Sequence, residues 1–330
     1  MRLIAAELLR ARSRRATWII LSALVGLCLF YIGGNFVSTH MPTEQDRQYA
    51  QEALEESTQY WEENGQADYD SCVSDATLSN STPEDWGCSA ILEKPVLENF
   101  LWSPPGFADR VTSDTSGLLI LAAALMVLLG ASLTAAEFAS GSLGNWLTFA
   151  PRRTPVFFSK LAAPAVVALG AALLVTALSV LGTFAWTELR GIPSPEPLET
   201  DTLVWTILRS TGVVVVAGVL GAALGALLRH TAAVIGVVGG YFVVVEMVFA
   251  GIFWESGLQR WFLSTQLQAV TQGKASYYVQ VCTWNEEQQY RTCESLEKFV
   301  TAADATLFLG SIGLVLVVVS WLVFRRRDVH

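Results

Sequence analysis

Long runs of apolar residues alternate with polar segments along the whole chain. A helix that crosses a membrane needs about 20 apolar residues, and six runs meet or approach this length. The pattern therefore predicts an all-α polytopic membrane protein with six transmembrane helices. The predicted spans cover residues 16–37, 116–136, 161–185, 203–228, 232–254 and 305–324.

Residues 1–15 form the first polar segment, in which leucine and isoleucine alternate with arginine. A basic amphipathic helix of this kind lies in the plane of the membrane interface. The alternative is the basic region of a signal peptide. The apolar run that follows is too long for such a peptide and no Ala-x-Ala cleavage site comes after it, so we favour an interfacial helix.

Composition supports membrane insertion. The chain has 330 residues, of which 52% are hydrophobic and 15% charged, whereas about a quarter of the residues are charged in soluble domains. The net charge of −9 is unevenly distributed, because Thr39–Asp114 holds 16 acids and 3 bases, a balance of −13. Such an acidic surface repels phosphate backbones, and we expect no nucleic-acid partner.

Basic residues fix the expected orientation, because loops rich in arginine and lysine stay in the cytoplasm. Six spans place both termini on one side, and the basic connections all fall on that side in one topology. The tail at residues 325–330 is also basic. The acidic connections at residues 38–115, 186–202 and 255–304 then lie outside. We expect a bacterial plasma membrane, with membrane lipids around the spans and cytoplasmic N- and C-termini.

Four of the five cysteines fall in pairs within the predicted outer connections. Cys72 and Cys88 share the first, Cys282 and Cys293 share the last, and Cys28 lies in an apolar run. An even number of cysteines in an outward loop is typical of disulfides in an oxidising compartment. Four cysteines allow three connectivities, and pairing within each loop, Cys72–Cys88 and Cys282–Cys293, is the simplest. The cysteine and histidine spacing fits no metal site.

The first outer loop begins with a helix signal. Thr43 followed three residues later by Asp46 resembles a capping box, and Asn64-Gly65 favours a helix end. The sequence therefore predicts a helix over residues 44–63, with the remaining loop closed by the first disulfide.

The last outer loop divides into an amphipathic part and a hairpin. Residues 255–272 are apolar enough to dip into the membrane or to lie on it, while Ser276–Thr283 and Gln289–Cys293 alternate like strands around a turn at Asn285–Gln288. Cys282 and Cys293 are equally distant from the turn. Directly opposite positions on a hairpin place Cβ atoms about 4.5–5.5 Å apart, which suits a disulfide.

Two ionisable residues lie inside predicted spans. Arg209 is about 9 Å and Glu246 about 12 Å from the outer end of its span, at 1.5 Å per residue. Adjacent antiparallel helices would place them at similar depth, as an intramembrane polar pair or the lining of a polar path. The alternative is that Arg209 extends outward and Glu246 has a structural partner or is protonated.

The same two spans contain Gly221-x-x-x-Gly225 and Gly236-x-x-x-Gly240. Small residues at this spacing allow two helices to approach closely. These motifs are packing signals and do not indicate a substrate.

Residues 137–160 connect the second and third spans. The segment begins with Glu137, contains a Gly141-Ser142 break, and ends with Pro151, Arg152, Arg153 and Lys160. This pattern predicts a short surface helix that a soluble partner can push. An ordinary interhelical loop remains the alternative.

Motifs for nucleotide binding and hydrolysis are missing from the sequence. There is no Gly-x-x-x-x-Gly-Lys-Ser/Thr phosphate loop, no His-Glu-x-x-His and no Gly-x-Ser-x-Gly. We therefore expect neither catalytic residues nor a cofactor in this chain, and energy for any transport would come from a partner or an ion gradient.

Several features together resemble the permease subunits of ABC-2 type transporters. They are the six spans with a basic lead helix, the Glu137-x-x-x-Gly141-Ser142-Leu143 segment followed by Leu147, Pro151-Arg152-Arg153 and Lys160, and the final Phe324-Arg325-Arg326-Arg327-Asp328-Val329. The likeness covers the whole topology, but its sequence motif covers only about two dozen residues and the tail.

The resemblance implies a coupling helix that sits in a groove of a separate ATPase. It implies a dimer, with a second copy or a homologous permease, and two cytoplasmic ATPase subunits that bind Mg-ATP. The coupling candidates are Glu137, Gly141, Ser142, Leu143, Arg152 and Arg153. It also implies paired re-entrant half-helices near residues 255–272 and 295–303. The long acidic first loop departs from the family pattern and leaves the cargo open.

The expected function is thus export of a hydrophobic, peptide or drug-like cargo, driven by a separate ATPase. Two other classes stay open. A membrane sensor or scaffold would use the outer loop to bind a ligand, and would have no ATPase partner. A gradient-driven transporter would show inverted repeats, and the sequence has no clear internal repeat.

Overall fold

The computed structural model of the chain describes residues 2–79, 81–139, 141–142, 152–194, 197–253, 256–285 and 290–326. Within these residues the fold is helical apart from one hairpin. The helix order begins with α1 (Arg2–Ser13), α2 (Arg15–Ser38), α3 (Glu44–Leu78), α4 (Phe107–Ala139), α5 (Arg153–Arg190) and α6 (Thr200–Leu228). It continues with α7 (Thr231–Ile252), α8 (Leu263–Gln272), β1 (Lys274–Asn285), β2 (Tyr290–Thr301) and α9 (Ala302–Arg326).

Six helices, α2, α4, α5, α6, α7 and α9, are long and apolar enough to cross a membrane. The predicted all-α polytopic fold is therefore confirmed. Each helix contains one of the apolar runs, or nearly all of it, and most extend beyond it, because helical hydrogen bonding continues into the polar flanks. The largest extension is in α4, which begins at Phe107 rather than at Ser116.

The centre of the bundle is the contact between α4 and α6. A Cβ placed on Gly221 would lie 2.1 Å from the carbonyl oxygen of Val127, and one on Gly130 would lie 2.1 Å from that of Gly218. Only glycine permits backbones to approach this closely. The main buried cluster surrounds this contact and includes Leu24, Leu119, Met126, Ala172 and Val214.

The second glycine motif behaves differently. A Cβ on Gly236 or Gly240 of α7 would meet no described atom within 4 Å, so among the residues that the structure describes nothing packs against this motif. In the most apolar 18-residue stretch of α7 only 6% of the residues are buried, whereas the figure for α4 is 56%. Helix α7 also contains a π-helical segment, Phe242–Phe249.

The bundle has two ends. We call them the termini side, where α1 and the end of α9 lie, and the disulfide side, from which the two disulfide-bonded segments leave. At the termini side, Phe138 and Phe157 contact Phe324 near the end of α9. At the disulfide side, Arg190 donates a hydrogen bond to the Phe36 carbonyl, and Arg110 donates one to Asn35. The two disulfides, Cys72–Cys88 and Cys282–Cys293, lie in segments that leave the bundle on this second side, and Cys28 is free and buried.

Residues 39–79 and 81–106 form the α3 domain on the disulfide side. The capping box is confirmed, because Thr43 and Asp46 each bond the backbone N–H of the other. The prediction that Asn64-Gly65 ends the helix is wrong, since α3 continues to Leu78. Gly65 is buried against the ring of Trp61, and the Asn64 side chain donates to the Tyr60 carbonyl, so both residues fit a continuous helix.

The last connection contains the predicted hairpin, extended to twelve residues per strand. Cys282 lies directly opposite Cys293, as the sequence predicts. Residues 255–272 contain the helix α8, but the expected second half-helix near 295–303 is wrong. Residues 295–301 continue β2 and pair with β1, and α9 begins at Ala302.

Candidate functional site

A group of buried charges closes the termini side of the bundle. Lys160 near the start of α5 donates to Glu7 of α1 at 3.0 Å, and it also pairs with Glu137 near the end of α4. All three side chains are at most 7% exposed. Three helices that are distant in sequence are thereby joined at one ammonium group.

Two arginines complete this group, which we call the charged junction. Arg14 lies in the extended link between α1 and α2, where it donates to Glu137 at 3.2 Å and to the carbonyls of Ser132 and Leu133. Arg10 lies 3.6 Å from Glu7 and 3.8 Å from Glu137. Arg14 thus binds two backbone carbonyls of α4 in addition to the Glu137 carboxylate.

Burial makes the ion pairs of the charged junction costly to break. A buried ion pair gains strength in a low-dielectric site, and loss of one partner leaves an uncompensated charge that costs about 3–5 kcal/mol. The charged junction therefore resists displacement of α1, α4 and α5 relative to one another. A shallow pocket is lined by the same residues together with Thr134, Ala163 and Pro164.

Glu137 was expected, as a coupling candidate, to meet the groove of a partner ATPase, and the structure gives it a different position. Its residue is 3% exposed, and its carboxylate contacts the cations of its own chain. Burial between Lys160 and Arg14 removes it from the surface that a partner would touch. Glu137 is thus an anchor for the following segment and not a surface contact.

The other coupling candidates lie at the two ends of the 137–160 segment. Gly141 is exposed and has a φ of +66°, a left-handed conformation that glycine adopts without strain. Ser142 is exposed and bonds to the Glu137 carbonyl, Arg152 is exposed, and Arg153 donates to the Arg325 carbonyl at the end of α9. Leu143 lies outside the described residues.

Arg209 and Glu246 do not form the expected pair. Among the described residues neither makes an ion pair with the other. Glu246 accepts hydrogen bonds from the backbone of Leu263 and from Ser264 at the start of α8. Arg209 lies beside Gly273, just after the end of α8, and over the ring of Trp205. A helix lies between the two charges, so direct pairing is a wrong prediction.

The sequence did not predict that Glu7 and Lys160 form a buried ion pair. Glu7 is the only acid in the basic α1 segment, which is the signal that would have identified it. Lys160 was noted as part of a basic loop, but its burial depends on contact with a helix 153 residues away. Within the described residues, no group of three or more histidines, cysteines or acids is placed to hold a metal ion.

Comparisons with protein families, with curated proteins and with solved structures gave no match to this chain. What the chain does is therefore inferred from its own residues and geometry.

Proposed function

We propose that this chain is the permease subunit of an ABC exporter, driven by a separate ATPase bound at the termini side. The charged junction is the observation that carries the proposal. It fixes both ends of the 137–160 segment and the lead helix α1 to one buried ammonium group. A push on the segment would then move α1, α4 and α5 together.

Charge distribution supports the orientation in this proposal. The termini side carries the arginines of α1, Arg152, Arg153 and the basic end of α9, whereas the α3 domain is strongly acidic. Under the positive-inside rule the termini side is cytoplasmic, in a bacterial plasma membrane. Two ATPase subunits with Mg-ATP would bind there, and the permease would act with a second copy or a homologue to expel a hydrophobic, peptide or drug-like cargo.

The first test is recovery of the full chain from its native membrane in mild detergent, followed by mass spectrometry. The proposal expects an ATP-binding cassette subunit in stoichiometric amount. Its consistent absence, with the chain intact and folded, would contradict the proposal.

Two glycines provide a matched test of the coupling surface. Gly141 and Gly191 have φ values of +66° and +65°, and a Cβ on either would meet nothing within 4 Å. Tryptophan is therefore equally strained at both, but Gly141 lies at the termini side and Gly191 at the disulfide side. We expect G141W to lower ATPase stimulation at least about tenfold, or about 1.4 kcal/mol of coupling, while G191W leaves it near the wild-type value.

One observation favours a second function, a membrane sensor whose outer domain binds a ligand. Helix α3 carries ten acids and one base, and nine of the ten acids are exposed. A helix so exposed is available to a cationic ligand. This function is supported if the purified chain carries no ATPase and binds a basic peptide through α3.

A further inference from the structure

Helix α8 lies at the disulfide side of the bundle, where it packs against α6, α9 and the hairpin. Its inward residues Ala269 and Val270 are buried in a separate cluster with members from α6, α9 and both strands. The cluster contains Val213, Ala275, Tyr277, Val300, Ala305 and Leu309. With ten residues, α8 spans about 15 Å.

The N-terminus of α8 is held by a carboxylate from another helix. Glu246 of α7 accepts the backbone N–H of Leu263 at 2.6 Å and that of Ser264 at 3.2 Å, and the Ser264 hydroxyl at 2.6 Å. Phe262, the residue that precedes the helix, provides no side-chain cap. Glu246 therefore satisfies two of the four N–H groups that a helix start leaves unpaired, and it places a negative charge at the positive end of the helix dipole.

The C-terminus of α8 faces the opposite charge. The guanidinium of Arg209 on α6 lies 3.0 Å from the point where a Cβ of Gly273 would be, and Gly273 is the residue at which α8 ends. A cation stabilises the negative end of the helix dipole. The two charged residues that the sequence places within the spans thus meet opposite ends of the same short helix.

The geometry of α7 explains how Glu246 reaches this position. Glu246 lies in the π-helical segment Phe242–Phe249, and it accepts a hydrogen bond from Tyr241, five residues earlier, at 3.0 Å. The wide turn of a π-helix places residues i and i+5 together, whereas an α-helix puts them on different faces. Conversion of this segment to α-helix would turn Glu246 away from α8.

We propose that α8 is a lid on the disulfide side of the bundle, latched by Glu246 and Arg209 as positioning residues and released when the π-helical segment of α7 rearranges. On this proposal the ten-residue helix moves as one unit when a latch is lost. This inference does not rest on the proposed export function, since it concerns the position of α8 whatever drives the chain.

A single reporter distinguishes a lid from a local helix cap. Val270 is 8% exposed and lies near the far end of α8 from Glu246. The experiment uses the full chain with V270C in a C28S background and measures the rate of labelling by a membrane-impermeant maleimide. A rigid lid exposes position 270 when Glu246 is removed, whereas simple fraying of the first turn leaves position 270 protected.

For E246A we expect labelling at position 270 to accelerate about tenfold or more over M247A. Met247 is the neighbouring residue of the same π-helical segment and is 61% exposed, so its truncation controls for the loss of a side chain there. Equal rates in E246A and M247A, with the chain folded, would overturn the proposal.

Arg209, the second latch, provides an independent test in the same labelling experiment. R209A is expected to accelerate labelling several-fold over L208A, whose side chain is 57% exposed, and R209K is expected to restore most of the protection because it keeps the charge. If R209K labels as fast as R209A, the charge at the C-terminus of α8 does not hold the lid.

A milder variant keeps the test decisive if E246A accumulates poorly. S264A removes one hydroxyl that bonds Glu246 and leaves the carboxylate and both backbone N–H groups. We expect about threefold faster labelling, with an unchanged melting temperature and an intact Cys282–Cys293 disulfide by mass. An unchanged labelling rate would count against the lid.

Discussion

The transmembrane bundle and the α3 domain use charged residues in opposite ways. The bundle buries a few, and each is held by partners from other helices, as Lys160 is held by Glu7 and Glu137. The α3 domain carries most of its acids in solvent, and its Lys94–Glu62 pair is about 60% exposed on both sides. The same kind of ion pair therefore carries very different energetic weight in the two regions.

The two regions also differ in what holds their helices in place. In the bundle, glycines bring α4 and α6 into backbone contact. In the α3 domain, the helix is held by a capping box, by the Cys72–Cys88 disulfide and by Trp61, whose indole N–H donates to the Ile91 carbonyl at 2.9 Å. A region that buries little apolar surface needs such local devices to stay ordered.

The largest effect should come from removing the ammonium group of the charged junction. K160M leaves Glu7 and Glu137 buried without their shared cation, and we expect a loss of about 3–5 kcal/mol in unfolding free energy. The measurement is thermal or denaturant unfolding of the purified chain in detergent. K94M is the matched control on the α3 domain, where a surface pair contributes about 0–1 kcal/mol. Equal losses in the two variants would remove the contrast between the regions.

Loss of the first disulfide should affect only the α3 domain. The cysteines are 16 residues apart, and closure of a loop of that size contributes about 3 kcal/mol on the chain-entropy model. For the double variant C72S/C88S we expect faster amide exchange over the last turns of α3, measured by mass spectrometry, and an unchanged bundle. C28S controls for loss of a cysteine without loss of a cross-link. A matching decrease in bundle stability would show that the regions are coupled.

Two glycine-to-alanine changes separate close packing from open helix surface. A Cβ at Gly221 would lie 2.1 Å from the Val127 carbonyl oxygen, while one at Gly240 would meet nothing within 4 Å. We expect G221A to destabilise the bundle by about 1–3 kcal/mol through overpacking. G240A should be neutral or stabilise it by about 0.5–1 kcal/mol, since alanine loses less backbone entropy than glycine in a helix. Unfolding in detergent reports both, and a destabilising G240A would indicate an unseen neighbour at α7.

Local signals in the sequence predicted much of this fold. Six membrane spans follow from the lengths of apolar runs, the α3 cap follows from Thr43 and Asp46, and the hairpin register follows from the equal spacing of Cys282 and Cys293 about the turn. Each of these depends on residues that are close in the chain.

Long-range contacts explain what the sequence did not predict. Glu7 meets Lys160 across 153 residues, and Glu246 meets the start of α8 across 17 residues and a change of direction. Gly65 was expected to end α3, but it is covered by the ring of Trp61 one turn earlier, and the Trp61 indole N–H donates to the Ile91 carbonyl 30 residues away. This anchoring of α3 outweighs the low helix propensity of glycine. The strand at residues 295–301 contradicts an expectation taken from family resemblance, which carries no information on local pairing.

The smallest effect concerns the first turn of α3 and its response to acid. The backbone N–H and the hydroxyl of Thr43 both donate to Asp46. These bonds hold the pKa of the Asp46 carboxyl below its ordinary value of 3.8, and the backbone bond has the larger effect. A lowered pKa means that the capping box is fully present above about pH 3.8 and is lost as the pH falls through the lower folded-state pKa. We therefore expect amide exchange at residues 44–47, corrected for its intrinsic pH dependence, to accelerate only below pH 3.8. In D46N, which cannot titrate, the corrected rate should be independent of pH, and an acid response that persists in D46N would assign it to another carboxyl of α3.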